Sequence, residues 1–167
     1  MSDKIAFIGV GNMGNPMAEN LLKSGKKIIV FDVSNKMLEQ AKKKGLNTAE
    51  SIETLINNEI TTVITMLPEG KHSKEIYLGD NGLINKVSKD CLLIDCSTID
   101  IKTSKEIGKA AENKNIMMID APVSGGVMGA QKATLNIMVG GSKKAFDKAL
   151  PTLKIMGKNI YHAGDIG

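Results

Sequence analysis

The chain has 167 residues, 42% of them hydrophobic, and a formal net charge of +4, which suits one domain with a sizeable core. All 22 basic residues are lysine and only 3% of the chain is aromatic, so the arginine forks and stacking rings on which nucleic-acid readers rely are missing. No apolar run approaches the roughly 18 residues of a membrane span, and no signal-peptide layout precedes the first apolar stretch. The expectation is therefore a soluble protein of the cytoplasm or an organelle matrix, with no nucleic-acid or membrane partner.

Short apolar runs alternate with segments of helical period. Ile5–Val10 reads as a strand and Asn12–Ser24 as a helix stopped by Gly25. Lys27–Asp32 is the second strand, followed by a helix over Ser34–Lys44 with Ser34 as N-cap and Gly45 at its end. Helical patterns over Ser51–Asn57 and Glu69–Tyr77 flank a strand at Thr61–Leu67. Cys91–Cys96 is the next strand, and Asp100 caps a helix over Ile101–Asn113. Ile116–Ala121 and Leu135–Gly141 follow as strands, then a helix over Lys143–Leu153 and a last strand at Asn159–Gly164. The strands are almost continuously apolar, as strands covered on both faces are. Strict alternation predicts an α/β fold: a Rossmann-type, doubly wound, mostly parallel sheet with helices on both faces. Cys91 and Cys96 stand an odd number of residues apart on one strand, so they face opposite ways and do not bridge. No cluster of His, Cys and acidic residues has metal-ligand spacing.

Gly9, Gly11 and Gly14 form G-x-G-x-x-G between a strand and a helix, and the next strand ends in an acid, Asp32. That context makes the pattern a dinucleotide fingerprint. Gly9 permits the tight turn, Gly11 admits a pyrophosphate close to the backbone, and Gly14 lets helix and strand pack closely. The helix N-terminus offers free N–H groups to phosphates. Asn12 and Met13, between the glycines, face the cofactor. Asp32 accepts from the adenosine ribose hydroxyls and repels a 2′-phosphate, which no arginine is present to hold. The expected cofactor is NAD rather than NADP, with Lys36 available for a weak phosphate contact at most.

Four stretches in order, "FIGVGNMGNPMAENLLKSG", "MLPEG", "LLIDCSTID" and "DAPVSGGVMGAQKATLNIMVGG", resemble the β-hydroxyacid dehydrogenases. That is the family of 3-hydroxyisobutyrate dehydrogenase and the semialdehyde reductases; the "FDV" tip and "LLIDCSTID" look most like its 3-hydroxyisobutyrate branch. The resemblance covers nearly the whole chain. It implies that Leu67, Pro68 and Thr98 contact the cofactor, and that Ser124, Gly125 and Gly126 hold the carboxylate of a small substrate. On the residues alone, Leu67 and Pro68 form a stiff apolar wall, Thr98 serves equally as a cap near Asp100, and Ser124–Gly126 is either an anion nest or a plain turn into a helix. His162, Asp95, Asp120 and Lys132 carry no catalytic assignment.

The family takes the hydroxyl proton with a lysine in a G-x-x-x-K-x-x-N helix that follows a segment similar to "YHAGDIG", and the chain ends at Gly167 in that segment. The resemblance therefore implies a cofactor-binding half over residues 1–167, without the catalytic lysine or the all-helical second domain through which full-length members oligomerise. Its expected activity is binding without turnover. The alternatives are a dinucleotide-binding module with no catalytic role, and an NADPH-linked glyoxylate or succinic semialdehyde reductase.

Overall fold

The computed structural model describes residues 4–167. Met1 to Asp3, on which the reading of the N-terminus bears, lie outside the described residues. Strands β1 (Lys4–Ile8), β2 (Lys27–Phe31), β3 (Asn47–Thr48), β4 (Thr62–Thr65), β5 (Leu92–Asp95) and β6 (Met117–Asp120) form a parallel sheet in the order β3-β2-β1-β4-β5-β6. Helices α1 (Gly14–Lys23), α2 (Asn35–Lys43), α3 (Ile52–Leu55), α4 (Gly70–Leu78), α5 (Leu83–Lys86) and α6 (Ile101–Asn113) make the crossovers that parallel strands require. Beyond β6 the direction reverses. Strand β8 (Leu135–Gly140) runs antiparallel to β6, the two-residue β7 (Val123–Ser124) is antiparallel to β8, and β9 (Gly157–Gly164) is parallel to β8. Helices α7 (Gly126–Gln131) and α8 (Lys143–Met156) complete the chain.

Each central strand buries both faces, and alternation sends successive side chains to opposite cores. Ile5 and Phe7 pack with α1, α2, α7 and α8 through Met17, Leu21, Ala41, Ala130 and Leu153. Ala6 and Ile8 pack with α3 to α6 through Leu55, Tyr77, Leu83 and Ile107. Cys91 belongs to the second core and Cys96 to the first, as their odd spacing requires, and both thiols are free. Burial pushes the Cys91 thiol up to about 12 and the Cys96 thiol still higher, so both behave as small apolar side chains.

The helix caps follow the local rules. The Ser34 hydroxyl accepts from Met37 N, and the Asp100 carboxylate accepts from Thr103 N at 2.9 Å. The sequence pattern did not reveal β3, β7 or α5; these elements of two to four residues are too short to carry a period. Among the described residues no helix is long and apolar enough to cross a membrane, and no group of three His, Cys or acidic side chains is placed to hold a metal.

Candidate functional site

In a doubly wound sheet the crevice opens beyond the carboxyl ends of the strands, where the strand order reverses. Here the reversal lies between β1 and β4, which pair on either side of the glycine loop. The loop is held from three directions. Gly9 N donates to Phe31 O at 2.9 Å at the end of β2. Gly9 has φ of +90°, and a Cβ there would overlap the Met66 carbonyl oxygen. A Cβ on Gly14 would overlap the Gly9 carbonyl oxygen and touch Phe7 at 3.1 Å. Gly11 is different: a Cβ on it would meet no protein atom within 4 Å. The packing of the chain does not call for glycine at that position.

Asp32 is tied into the same loop. One carboxylate oxygen accepts from Val10 N at 2.8 Å and the other from Ser34 N at 2.8 Å. The acid thus braces the glycine turn against the start of α2, and each oxygen keeps a lone pair for a further donor. Helix α1 starts without a side-chain cap, since Met13 stands at its N-cap position, so its first N–H groups remain unpaired by any capping side chain.

A cleft of about 520 Å³ opens at this point and gathers most of the sequence-derived set. Gly9, Gly11, Asn12, Met13, Gly14, Asp32, Leu67 and Pro68 all line it. Ser97 places the Leu67–Pro68 wall, because its hydroxyl accepts from Leu67 N at 2.8 Å. Thr98, one residue further along, is exposed and does not line the cleft. The capping role near it belongs to Asp100. The second glycine loop opens α7, which packs against α1 through the bond from Asn20 Nδ2 to Ala130 O, and Val127 just after the loop lines a second cavity together with Gly11 and Asn12. Ser124 pairs with Asn136 in β8, and Gly125 and Gly126 follow with φ of +137° and +61°. All three residues are exposed, and both glycines take positive φ values that other residues rarely adopt.

Sequence reasoning missed the other eight lining residues, which are Ile8, Phe31, Met66, Val33, Met37, His72, Glu75 and Ile76. The last three share one face of α4 at spacings of three and four residues, a signal present in the sequence but tied to no motif. Also missed was a buried polar chain under the site. Tyr77 Oη bonds Thr65 Oγ1 at 2.8 Å, which bonds Asp95 Oδ1 at 2.9 Å, and Ser97 N donates to the same oxygen at 2.9 Å. Asp95 Oδ2 is buried with no hydrogen-bond partner among the described residues. The register sets Asp95 beside Asp120, but the carboxylates serve different partners, Asp120 accepting from Gly167 N at 3.3 Å. His162 is structural: it bonds Gly141 O at 2.7 Å and stacks on Phe146 with ring centroids 4.6 Å apart. Lys132 is an exposed residue at the end of α7.

Burial raises the Asp95 carboxyl above its ordinary 3.8, against the hydrogen bonds from Ser97 and Thr65. The folded chain therefore keeps this proton at a pH where the unfolded chain has lost it. The stability due to Asp95 is greatest below 3.8, falls as pH rises through the raised folded value, and is level above it. Urea melts of the wild type and Asp95→Asn over about pH 3 to about pH 8 check this, because asparagine does not titrate. The wild type is expected to lose ground to the variant as pH rises above about 4. A constant difference across the range would show that Asp95 titrates normally.

The family described as the NAD binding domain of 6-phosphogluconate dehydrogenase matches residues 4–164. The chain belongs to that family. It is 48% identical over 164 residues to a 3-hydroxyisobutyrate dehydrogenase of Pseudomonas aeruginosa, covering 98% of this chain and 54% of that protein. It is 42% identical over 164 residues to an NAD-dependent L-serine dehydrogenase of the same organism, covering 98% of this chain and 55% of that one. The solved Mycobacterium tuberculosis 3-hydroxyisobutyrate dehydrogenase with L-serine superposes with a TM-score of 0.93 at 37% identity, over 99% of this chain and 56% of that one. The chain thus spans about half the length of the relatives it matches.

Proposed function

We propose that residues 1–167 are the cofactor-binding half of an NAD-dependent dehydrogenase that oxidises 3-hydroxyisobutyrate or a closely similar β-hydroxyacid. The observation that carries this reading is the open position at Gly11 beside the uncapped start of α1: glycine there leaves room that the protein itself does not fill. A pyrophosphate fits that room, with Asn12, Met13 and the first N–H groups of α1 around it. Gly9 and Gly14 hold the turn in shape, and Asp32 takes the ribose hydroxyls with its free lone pairs. The same carboxylate disfavours a 2′-phosphate, so the cofactor is NAD. Leu67 and Pro68 wall the cleft, and Thr98 meets the cofactor only where the bound molecule extends past them. Bound NAD supplies the hydride acceptor. Ser124, Gly125 and Gly126 orient the substrate carboxylate. No residue of this chain is assigned the hydroxyl proton.

A titration with NADH and NADPH followed by nicotinamide fluorescence tests the reading, with 3-hydroxyisobutyrate turnover followed in the same cuvette under NAD. Saturable binding that favours NADH is expected, without turnover. Failure to bind either dinucleotide would overturn the reading. Turnover would show that a residue within this chain takes the proton.

A further inference from the structure

Behind the Leu67–Pro68 wall lies a chain of buried polar groups. Tyr77 of α4, Thr65 at the end of β4 and Asp95 at the end of β5 are each at most 2% exposed. Their hydrogens have one consistent order. Asp95 Oδ1 only accepts and lies 2.9 Å from Thr65 Oγ1, so Thr65 donates to Asp95. That uses the one hydrogen of the threonine hydroxyl, so Tyr77 Oη, 2.8 Å away, donates to Thr65. Ser97 N is the second donor to Asp95 Oδ1, at 2.9 Å. Asp95 Oδ2 receives none among the described residues. A buried carboxyl with an unmet oxygen costs stability, so packing does not call for an acid at this position.

The consequence of the acid is seen two residues on. Its bond to Ser97 N fixes the turn after β5, and the hydroxyl of the same serine accepts from Leu67 N at 2.8 Å. Pro68 has no N–H, so the Leu67 N–H is the one backbone donor by which this wall can be tied. Met66, just before it, donates from its N–H to Ile8 O at 2.9 Å. The wall is therefore gripped from β1 on one side and from β5 on the other, and the grip from β5 runs through Ser97 to Asp95. Ser97 is 2% exposed, so little water competes for these bonds. Neither Asp95 nor Ser97 lines the cleft itself. We propose that Asp95 is a positioning residue for the cofactor, acting through Ser97 to hold Leu67 and Pro68 where the bound dinucleotide needs them. That role rests on the dinucleotide reading proposed for this chain.

The test titrates NADH, by nicotinamide fluorescence, into the wild type, Ser97→Ala, Asp95→Leu, Asp95→Asn and the double variant of Ser97→Ala with Asp95→Leu. Thermal melts run alongside. Leucine has the branched outline of aspartate without its oxygens, whereas asparagine keeps Oδ1 as an acceptor. Ser97→Ala and Asp95→Leu are each expected to weaken NADH binding about fivefold, the size of one hydrogen bond. Asp95→Asn should stay within about twofold of the wild type, because the bond to Ser97 N survives. In the Ser97→Ala background Asp95→Leu should weaken binding by less than about twofold, since the route from the acid to the wall is already cut. An acid needed only by the fold would lower the melting temperature and leave NADH affinity unchanged. That result, or a full further loss on adding Asp95→Leu to Ser97→Ala, would overturn the proposal. If Asp95→Leu does not fold, Ser97→Ala decides: unchanged affinity overturns the proposal, and a loss restored by Ser97→Thr supports it. A wild type that does not bind NADH would overturn the dinucleotide reading itself, a result distinct from each of these.

Discussion

Gly14→Ala is expected to lower the unfolding free energy by roughly 3 kcal/mol, the upper part of the range for forcing an extra carbon into a packed site. For a chain of this size the thermal midpoint should fall by roughly 10 °C. The added Cβ overlaps the Gly9 carbonyl oxygen, and the ring of Phe7, fully buried, stands 3.1 Å away on the other side. The loop cannot retreat at low cost. Gly9 is tied to Phe31 by its N–H, pressed against the Met66 carbonyl, and followed by Val10, whose N–H is held by Asp32. Relief of the overlap must break one of these or shift α1 off the sheet, where Met17 and Leu21 are fully buried. Thermal and urea melts check it. A loss below about 1 kcal/mol would show that the loop yields, and that its shape is less constrained than these contacts require.

Gly11→Ala is expected to do the opposite. Its Cβ enters open space and its backbone φ needs no glycine, so stability should stay within about 0.5 kcal/mol of the wild type. Affinity for NADH should fall at least tenfold, or about 1.4 kcal/mol, because the methyl stands where the pyrophosphate must approach the backbone. The two alanines thus separate a glycine needed by the fold from one needed by the ligand, three residues apart in one motif. Unchanged NADH binding in Gly11→Ala would remove the observation on which the proposed function rests.

Much of this was legible in the residues. The alternation of apolar runs and helical segments, the caps at Ser34 and Asp100, and the stops at Gly25 and Gly45 all act over a few residues, so a local reading finds them. The glycine loop and Asp32 were equally legible, because a strand, a turn of fixed shape and a helix start lie within one βαβ unit. Thr98 illustrates the limit. The side chain of its loop that reaches Leu67 is Ser97, and a shift of one residue beyond a strand reverses which side chain turns inward. The polar chain from Tyr77 through Thr65 to Asp95 links three elements that no spacing rule connects.

The sequence by itself determined the kind of fold and the glycine turn between β1 and α1, since each depends on backbone conformations that nearby residue types dictate. Only the tertiary structure decided the reversal of β8 and β7 beyond β6, the separate demands on Gly11 and Gly14, the bracing of the glycine turn by Asp32, and the face of α4 that lines the cleft. Those depend on which strands become neighbours and which atoms fill the space between layers, and that is settled by packing between residues distant in the chain.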